Sequence, residues 1–417
     1  MGNIVIVGSG HAGYQLAAAL RHAGNDDAVF LVGDEPHLPY QRPPLSKDYL
    51  KTAMKPEDLR FWSEEQFAEK AIKRIAGVAV TAIDRAAGAV SLSNGHRLGF
   101  DRLVLATGTR NRVLPVPGGD RAGIYSLRTV DDAERIRAAL ENATSAVVIG
   151  GGFIGLEIAA TIAERGVPVT VVEAAGRVMG RVVGEAVSRH HERVLGALGV
   201  GFRFHAKVAG ILGPESLGST GRVEAVLLGD GERLEADIVI VGIGVLPNQE
   251  LAVASDLAAG DGILVDAGLA TADPRIFAIG DVARHPSLYA SAPVRIESVQ
   301  NATDQARLVA ARLAGKPAGA YGAVPWFWSH QGSLKLQIAG LGHEADETVL
   351  RGRPEDGAFS AFRFRAGRLV AVESVDRPTD HMAARRLLAG GTMLTPGQAA
   401  DESFDLKALA MARPQTG

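Results

Sequence analysis

Short runs of β-branched residues alternate along the chain with segments whose apolar positions recur every three or four residues, the pattern of strands feeding helices. It starts at once: Asn3–Val7 reads as a strand, 14–23 as an amphipathic helix and 28–32 as a second strand. The same order returns from 145 to 173, SAVVIGGGFIGLEIAATIAERGVPVTVVE, with a strand at 146–149, a helix at 156–165 and a further apolar run ending at Glu173. Between them the spacing predicts a helix start at Ser46, a helix over 61–72, paired strands at 76–82 and 89–92, an apolar run over 98–105 and a helix over 131–141. Beyond them it predicts a helix over 185–198, strands at 201–204, 207–212 and 222–228, a Gly-Asp-Gly hairpin turn and a buried strand at 237–241. Strands at 262–265 and 276–279 and a helix over 301–313 lead back toward the first domain. From Tyr321 the character changes to strands at 334–340, 347–350, 358–365 and 368–374, followed by helices over 380–388 and 406–411.

What joins strand to helix in the two repeated units decides their chemistry. The first has Gly8-x-Gly10-x-x-Gly13 followed by Asp34 and Glu35; the second has Gly150-x-Gly152-x-x-Gly155 followed by Glu173. In such a fingerprint the first glycine makes a tight turn, the second lets backbone approach a pyrophosphate, and the third lets helix and strand pack closely. The helix N-terminus then presents free N–H groups and its positive dipole end to phosphate. The fold class is therefore α/β, two Rossmann-like dinucleotide-binding domains plus a C-terminal α+β domain. The expected boundaries are 1–108 with 242–320 for a discontinuous first dinucleotide-binding domain, 109–241 for the second and 321–417 for the third. Two dinucleotide sites in one chain imply electron transfer between them, and the usual pair is a flavin and a nicotinamide.

Composition narrows how the electrons leave. The chain has 417 residues and no cysteine, which excludes a disulfide framework, a thiolate-held iron–sulfur cluster and any redox-active cysteine pair. Disulfide reductases and cysteine-dependent peroxide reductases are thereby set aside. A formal charge of -3 with interspersed signs gives no reason to bind nucleic acid or an anionic membrane. Apolar runs such as 238–246 are too short to span a bilayer, and residue 3 already belongs to a core strand, so a cytoplasmic location without a signal segment is expected.

The stretch 39–47, PYQRPPLSK, is stiffened by adjacent prolines, so Lys47 is held in place. With GSGHAG, PPLSK, ATG, GGGFIGLE, GIGVLPN, AIGDVA, RIESVQNA and PWFWS in that order from about residue 3 to about 410, the chain resembles the bacterial FAD-dependent NADH:ferredoxin reductases, of the putidaredoxin reductase type, that serve haem monooxygenases and Rieske-type dioxygenases. PPLSK, RIESVQNA and PWFWS are the motifs most specific to that group. The resemblance implies a glutathione reductase-like architecture, non-covalent FAD in the first dinucleotide-binding domain and NADH/NAD in the second as cofactors, and a [2Fe-2S] ferredoxin as partner, with the protein a monomer or weak homodimer.

Its site residues carry over one by one. Gly8, Gly10, His11, Ala12 and Gly13 are expected against the FAD pyrophosphate, and Asp34 or Glu35 at the adenosine ribose. Arg42, Val80, Ala106, Thr107, Gly108 and Arg128 resemble further FAD contacts; Gly280 and Asp281 belong to the ribityl and phosphate region; Val299 begins a helix aimed at the flavin pyrimidine. Gly150, Gly152, Phe153, Ile154, Gly155, Gly242 and Gly244 are expected around NAD, where Glu173 accepts from the adenosine 2′-hydroxyl and repels a 2′-phosphate, Arg177 and Arg181 acting against that preference. Lys47 and Glu157 look like the pair beside the reactive flavin edge and are the candidate catalytic residues; Trp326 and Trp328 sit where the family places aromatics near the flavin and the partner. His330-Gln331-Gly332 departs from the acidic residue and tyrosine common in relatives, which bears on partner identity and not on flavin chemistry. Two other outlets stay open: an NADH-sensing flavoprotein resembling apoptosis-inducing factor, and a reductase of rubredoxin, a quinone or a small radical.

Overall fold

The computed structural model describes residues 2–214 and 221–412; the last five residues of the expected third domain lie outside this range. By packing, the chain forms two compact units, one of Met1–Arg42, Pro56–Arg110 and Leu246–Pro325, the other of Pro43–Lys55, Asn111–Val245 and Trp326–Gly417.

In the first unit the near-continuous apolar runs of the sequence become a parallel sheet in the order Ile276–Ala278, Arg102–Leu105, Asn3–Val7, Ala28–Gly33, Ile72–Ala76. Ile4, Val5, Ile6, Leu103, Val104 and Ala278 are all buried, as strands covered on both faces must be. Helices His11–His22 and Val299–Leu313 pack against each other. Strands Val80–Asp84, Ala89–Leu92 and Arg97–Gly99 make a separate antiparallel sheet. The helix expected over 61–72 is shorter, Glu64–Glu69, capped by Ser63 and Gln66; Ala71 then turns the chain at φ 50° and Ile72 begins the sheet's edge strand by pairing with Val29. Likewise the run 98–105 breaks into two strands at Phe100-Asp101; the strand expected from 262 lies in the first unit, in a small sheet with Ala283–His285.

The second unit repeats the plan with Val200–Arg203, Val169–Val172, Ala146–Ile149, Ile238–Val241 and Ile124–Tyr125 in parallel order. The predicted hairpin joins Ala225–Leu228 to Arg233–Glu235. A five-stranded antiparallel sheet, Trp326–Gln331, Leu334–Gly340, Arg368–Val375, Phe359–Arg365, Glu347–Arg351, carries the helix Pro378–Gly390. Its first strand packs on helix Phe153–Glu164.

The segment Pro43–Lys55, expected with residues 1–108, belongs to this second unit. Its prolines open a 3₁₀ turn, Pro43–Ser46, and the α-helix follows only at Asp48–Lys51, later than the Ser46 start the sequence implied. Fully buried Tyr49 donates to Glu134, Arg137 Nη1 donates to Met54 O at 2.7 Å, and Arg165 Nη1 donates to Leu50 O at 2.6 Å. Lys47 is thus fixed on the unit that bears the second fingerprint.

Candidate functional site

In the first fingerprint two glycines are required by the protein itself. Gly8 has φ 110° and a methyl there would stand 2.2 Å from Ala106 O; one on Gly13 would stand 1.9 Å from Gly8 O. Gly10 differs: a methyl on it would meet only the Arg42 guanidinium, at 3.9 Å. Gly10 is also the N-cap of helix His11–His22 and supplies no side-chain cap, so the first N–H groups are free for an anion. The bare surface at Gly10 is the surface a pyrophosphate needs.

Around this turn the structure gathers most of the expected first-site residues. Ala12 lies under Gly280, where a methyl would approach the Ala12 Cβ to 2.8 Å, and Gly280 N donates to Gln305 Oε1 at 2.7 Å. His11 Nε2 meets Thr303 Oγ1 at 3.0 Å, and Thr303 donates onward to Val299 O at 2.9 Å, joining the fingerprint to the first turn of helix Val299–Leu313. Desolvation lowers the His11 pKa to about 4, so its ring is neutral. Of the two acids after the second strand, Asp34 is exposed, whereas Glu35 accepts from Tyr40 Oη at 2.5 Å and pairs with Arg42. Burial opposes the charge on Arg42, yet Tyr40 and Glu35 outweigh it and raise its pKa. Thr107 Oγ1 donates to Asn248 O at 2.7 Å and Asn248 Nδ2 donates back to Thr107 O at 2.9 Å, fixing the Ala106-Thr107-Gly108 turn. The backbone oxygen of half-buried Asp281 accepts from Arg295 at 3.1 Å. Val80 is a buried residue at the start of strand Val80–Asp84 of the antiparallel sheet, and Arg128 belongs to the second unit, where its N–H donates to Asp132 at 2.9 Å.

The second fingerprint has the same division of labour. A methyl on Gly150 would stand 2.4 Å from Gly242 O and one on Gly155 2.2 Å from Gly150 O, while Gly152 has nothing within 4 Å. Gly152 caps helix Phe153–Glu164 without a side-chain bond; Ile154 is exposed and Phe153 lies 4.6 Å from Phe327, ring to ring. Glu173 folds back on this turn, Oε2 accepting from Gly151 N and Oε1 from Ala175 N, both at 2.7 Å. A carboxylate has about four lone-pair sites, so capacity for a sugar hydroxyl remains. Arg177 is spent on its own loop, donating to Val183 O at 2.8 Å and Gly180 O at 2.9 Å, while the guanidinium of exposed Arg181 lies beside Gly244.

Glu157 is the chemically unusual residue. It sits in the second turn of helix Phe153–Glu164, only 3% exposed, and both oxygens are engaged. Oε2 accepts from Lys47 Nζ at 2.7 Å and from Ser46 Oγ at 2.5 Å; Oε1 accepts from Ser329 Oγ at 2.7 Å and faces His330 N at 3.4 Å. Thr161, one helical turn on, donates to Ser46 O at 3.0 Å and anchors the segment that brings Lys47 in. So complete a donor shell holds the buried carboxylate in one place. Ser46, Ser329 and Thr161 escaped the sequence reading, although the first two lie inside PPLSK and PWFWS. Trp326 and Trp328 occupy one face of strand Trp326–Gln331, 5.5 Å apart, with Arg385 over the Trp326 ring at 4.3 Å.

Known proteins place this geometry. Residues 2–306 match the family model for pyridine nucleotide-disulphide oxidoreductases, and 326–410 match the reductase C-terminal model. Rhodocoxin reductase of Rhodococcus erythropolis is 47% identical over 99% of this chain and 95% of its own length. Putidaredoxin reductase of Pseudomonas putida is 41% identical over 98% and 97%. Among solved structures, the ferredoxin reductase for the CYP199A2 system of Rhodopseudomonas palustris superposes with a TM-score of 0.95 at 45% identity, covering 98% of this chain and all of that one (100%). The reductase in the covalent putidaredoxin reductase–putidaredoxin complex gives 0.94 at 41%, with 98% of each chain covered. The disulfide chemistry in the family's name has no counterpart in a chain without cysteine. This chain belongs to the pyridine nucleotide-disulphide oxidoreductase family, among its FAD-dependent ferredoxin reductases.

Proposed function

We propose that the protein oxidises NADH and delivers the electrons one at a time to a [2Fe-2S] ferredoxin that feeds a monooxygenase or dioxygenase. The observation that carries this reading is the pair of glycine cradles, each uncrowded at its second glycine, in a chain that holds a largely buried Lys47–Glu157 pair and no thiol. Bound FAD supplies the one capability no side chain has, taking two electrons as a hydride and releasing them singly. The chain's own work is binding, orientation and electrostatics. Gly8, Gly10 and Gly13 with the helix end behind them hold one pyrophosphate; Glu35, braced by Tyr40 and Arg42, takes the ribose. Gly150, Gly152 and Gly155 hold the other, and Glu173 selects NADH because a 2′-phosphate would meet its negative charge. Lys47 and Glu157 fix one positive and one negative charge where the nicotinamide must stack, and their mutual bond and the two serines stop either from relaxing. Helix Val299–Leu313 offers its positive end to charge on the flavin pyrimidine.

Relatives named as reductases of putidaredoxin, rhodocoxin and dioxygenase ferredoxins support the assignment of the acceptor. We propose a cytoplasmic location, where NADH is supplied; among the described residues no helix is long and apolar enough to cross a membrane. We take the working form to be a monomer or weak homodimer, which sedimentation at two concentrations checks. The functional test is NADH-dependent cytochrome c reduction with and without an added [2Fe-2S] ferredoxin. Strong dependence on the ferredoxin is expected; equal rates without it would overturn the assignment.

A further inference from the structure

The loop that carries Arg177 and Arg181 is held from two sides. At one end, Met179 N donates to Gly151 O at 2.8 Å, binding the loop to the second glycine fingerprint itself. Ser188 Oγ donates to Val178 O at 2.6 Å, and Arg177 ties Gly180 and Val183 together from within. At the other end stands Gly184, the N-cap of helix Glu185–Ala197, which has no capping side chain of its own. Its N–H donates instead to Glu373 Oε2 at 2.8 Å, a residue of the C-terminal sheet far along the chain. Glu373 is 0% exposed; its Oε1 accepts from Arg363 Nη1 at 2.8 Å, and Arg363 Nη2 donates to Gly342 O at 3.2 Å. A methyl on Gly184 would stand 2.9 Å from Arg363 Nη1, so the loop's end is shaped to this pair.

A buried carboxylate–guanidinium pair is a poor way to stabilise a sheet. Burial pushes the Glu373 carboxyl upward, against the pull of Gly184 N, Arg363 and Arg177, and well-packed apolar residues commonly replace such a pair at no loss of stability. What apolar residues would not do is point a charged acceptor at one backbone N–H and hold it. We propose that Glu373, supported by Arg363, is a positioning residue for dinucleotide binding: it fixes Gly184, and through the loop 177–184 it sets Arg181 and the backbone that braces Gly151. The C-terminal sheet thereby helps build a site whose recognition elements all belong to another module. The inference rests on the reading that the second fingerprint takes NADH.

The experiment compares the full-length, FAD-loaded wild-type protein with Glu373→Gln and with the double variant Glu373→Leu/Arg363→Met, which removes both charges together. Calorimetry with ADP-ribose reads the nucleotide site independently of turnover, and steady-state kinetics separates KM for NADH from kcat. In the double variant, flavin content and Tm hold, the ADP-ribose Kd and the NADH KM rise about tenfold (about 1.4 kcal/mol), and kcat stays within about twofold. Glu373→Gln, which leaves Arg363 without its counter-charge, moves both constants in the same direction. Constants within about twofold of wild type in a folded double variant overturn the inference, as does a double variant that does not fold, because the pair would then serve stability alone. Failure of the wild-type protein itself to bind ADP-ribose would instead overturn the reading of the second fingerprint.

Discussion

The two glycine turns share the spacing of their three glycines and differ in what surrounds them. In both, the first and third glycines are forced by neighbouring carbonyls, while the second meets only the Arg42 guanidinium, at 3.9 Å, in one turn and nothing within 4 Å in the other. The acid after the first is gripped by other side chains, Tyr40 and Arg42; the acid after the second leans on its own turn through Gly151 N. The residue two places after the third glycine is half-buried Gln15 in one helix and caged, buried Glu157 in the other. A shared glycine frame has been finished with a braced acid in one place and with the buried Lys47–Glu157 ion pair in the other. Chemistry is set by the residues added around the cradle, not by the cradle.

The harshest way to break the comparison is Gly13→Ala or Gly155→Ala. With a methyl placed about 2 Å from a carbonyl oxygen, neither turn closes, and no stable flavoprotein is expected from expression trials in either case. Next is the cage. Lys47→Met or Glu157→Gln is expected to lower the rate of flavin reduction by NADH about 100-fold in stopped-flow measurements while FAD stays bound. Lys47→Met also leaves a buried carboxylate short of its counter-charge, a loss of about 3–5 kcal/mol that denaturant titration would read. A Glu157→Gln rate equal to wild type would remove the pair from the mechanism. A milder crossed test uses the open glycines: Gly10→Ala lowers FAD occupancy, whereas Gly152→Ala keeps the flavin and raises the NADH Kd, each by about tenfold. Loss of FAD in Gly152→Ala would mean that the two seats had been assigned the wrong way round. Glu173→Gln should narrow the ratio of kcat/KM for NADH over NADPH by about tenfold, the worth of one charged hydrogen bond.

A further effect is the change of stability with pH. The residue after the second glycine is His11 in one turn and Phe153 in the other, and burial lowers the pKa of His11, His191 and His381 each to about 4. The unfolded chain takes these protons near pH 6.5 and the fold resists them until about pH 4, so stability is full above that window and falls as pH is lowered through it. Tm measured from pH 7.5 to 5 should decline, and His11→Phe should make the decline shallower; a flat wild-type profile would contradict the cause.

Much of this was legible in the chain. Both βαβ units, the hairpin at 228–233 and four of the five strands of the C-terminal sheet, all but Trp326–Gln331, follow from apolar periodicity and turn residues, because those signals are local. Lys47 and Glu157 were found through motifs, but their contact at 2.7 Å joins residues 110 apart, and the serines completing the cage carry no periodic signal. The edge strand Ile72–Ala76 was hidden because one face of an edge strand reads like the end of a helix until Ala71 is seen at positive φ. The placement of Pro43–Lys55 rests on Tyr49, Arg137 and Arg165, whose bonds no spacing reveals.

The central claim is that one chain seats a nicotinamide and a flavin together and releases the electrons singly. Anaerobic titration of the purified protein with NADH, followed by mixing with an oxidised [2Fe-2S] ferredoxin, tests it most directly. The account predicts a yellow protein bleached by one NADH per flavin and recoloured by two equivalents of ferredoxin. A colourless protein that takes up no FAD, or a flavin that NADH leaves oxidised, would contradict it.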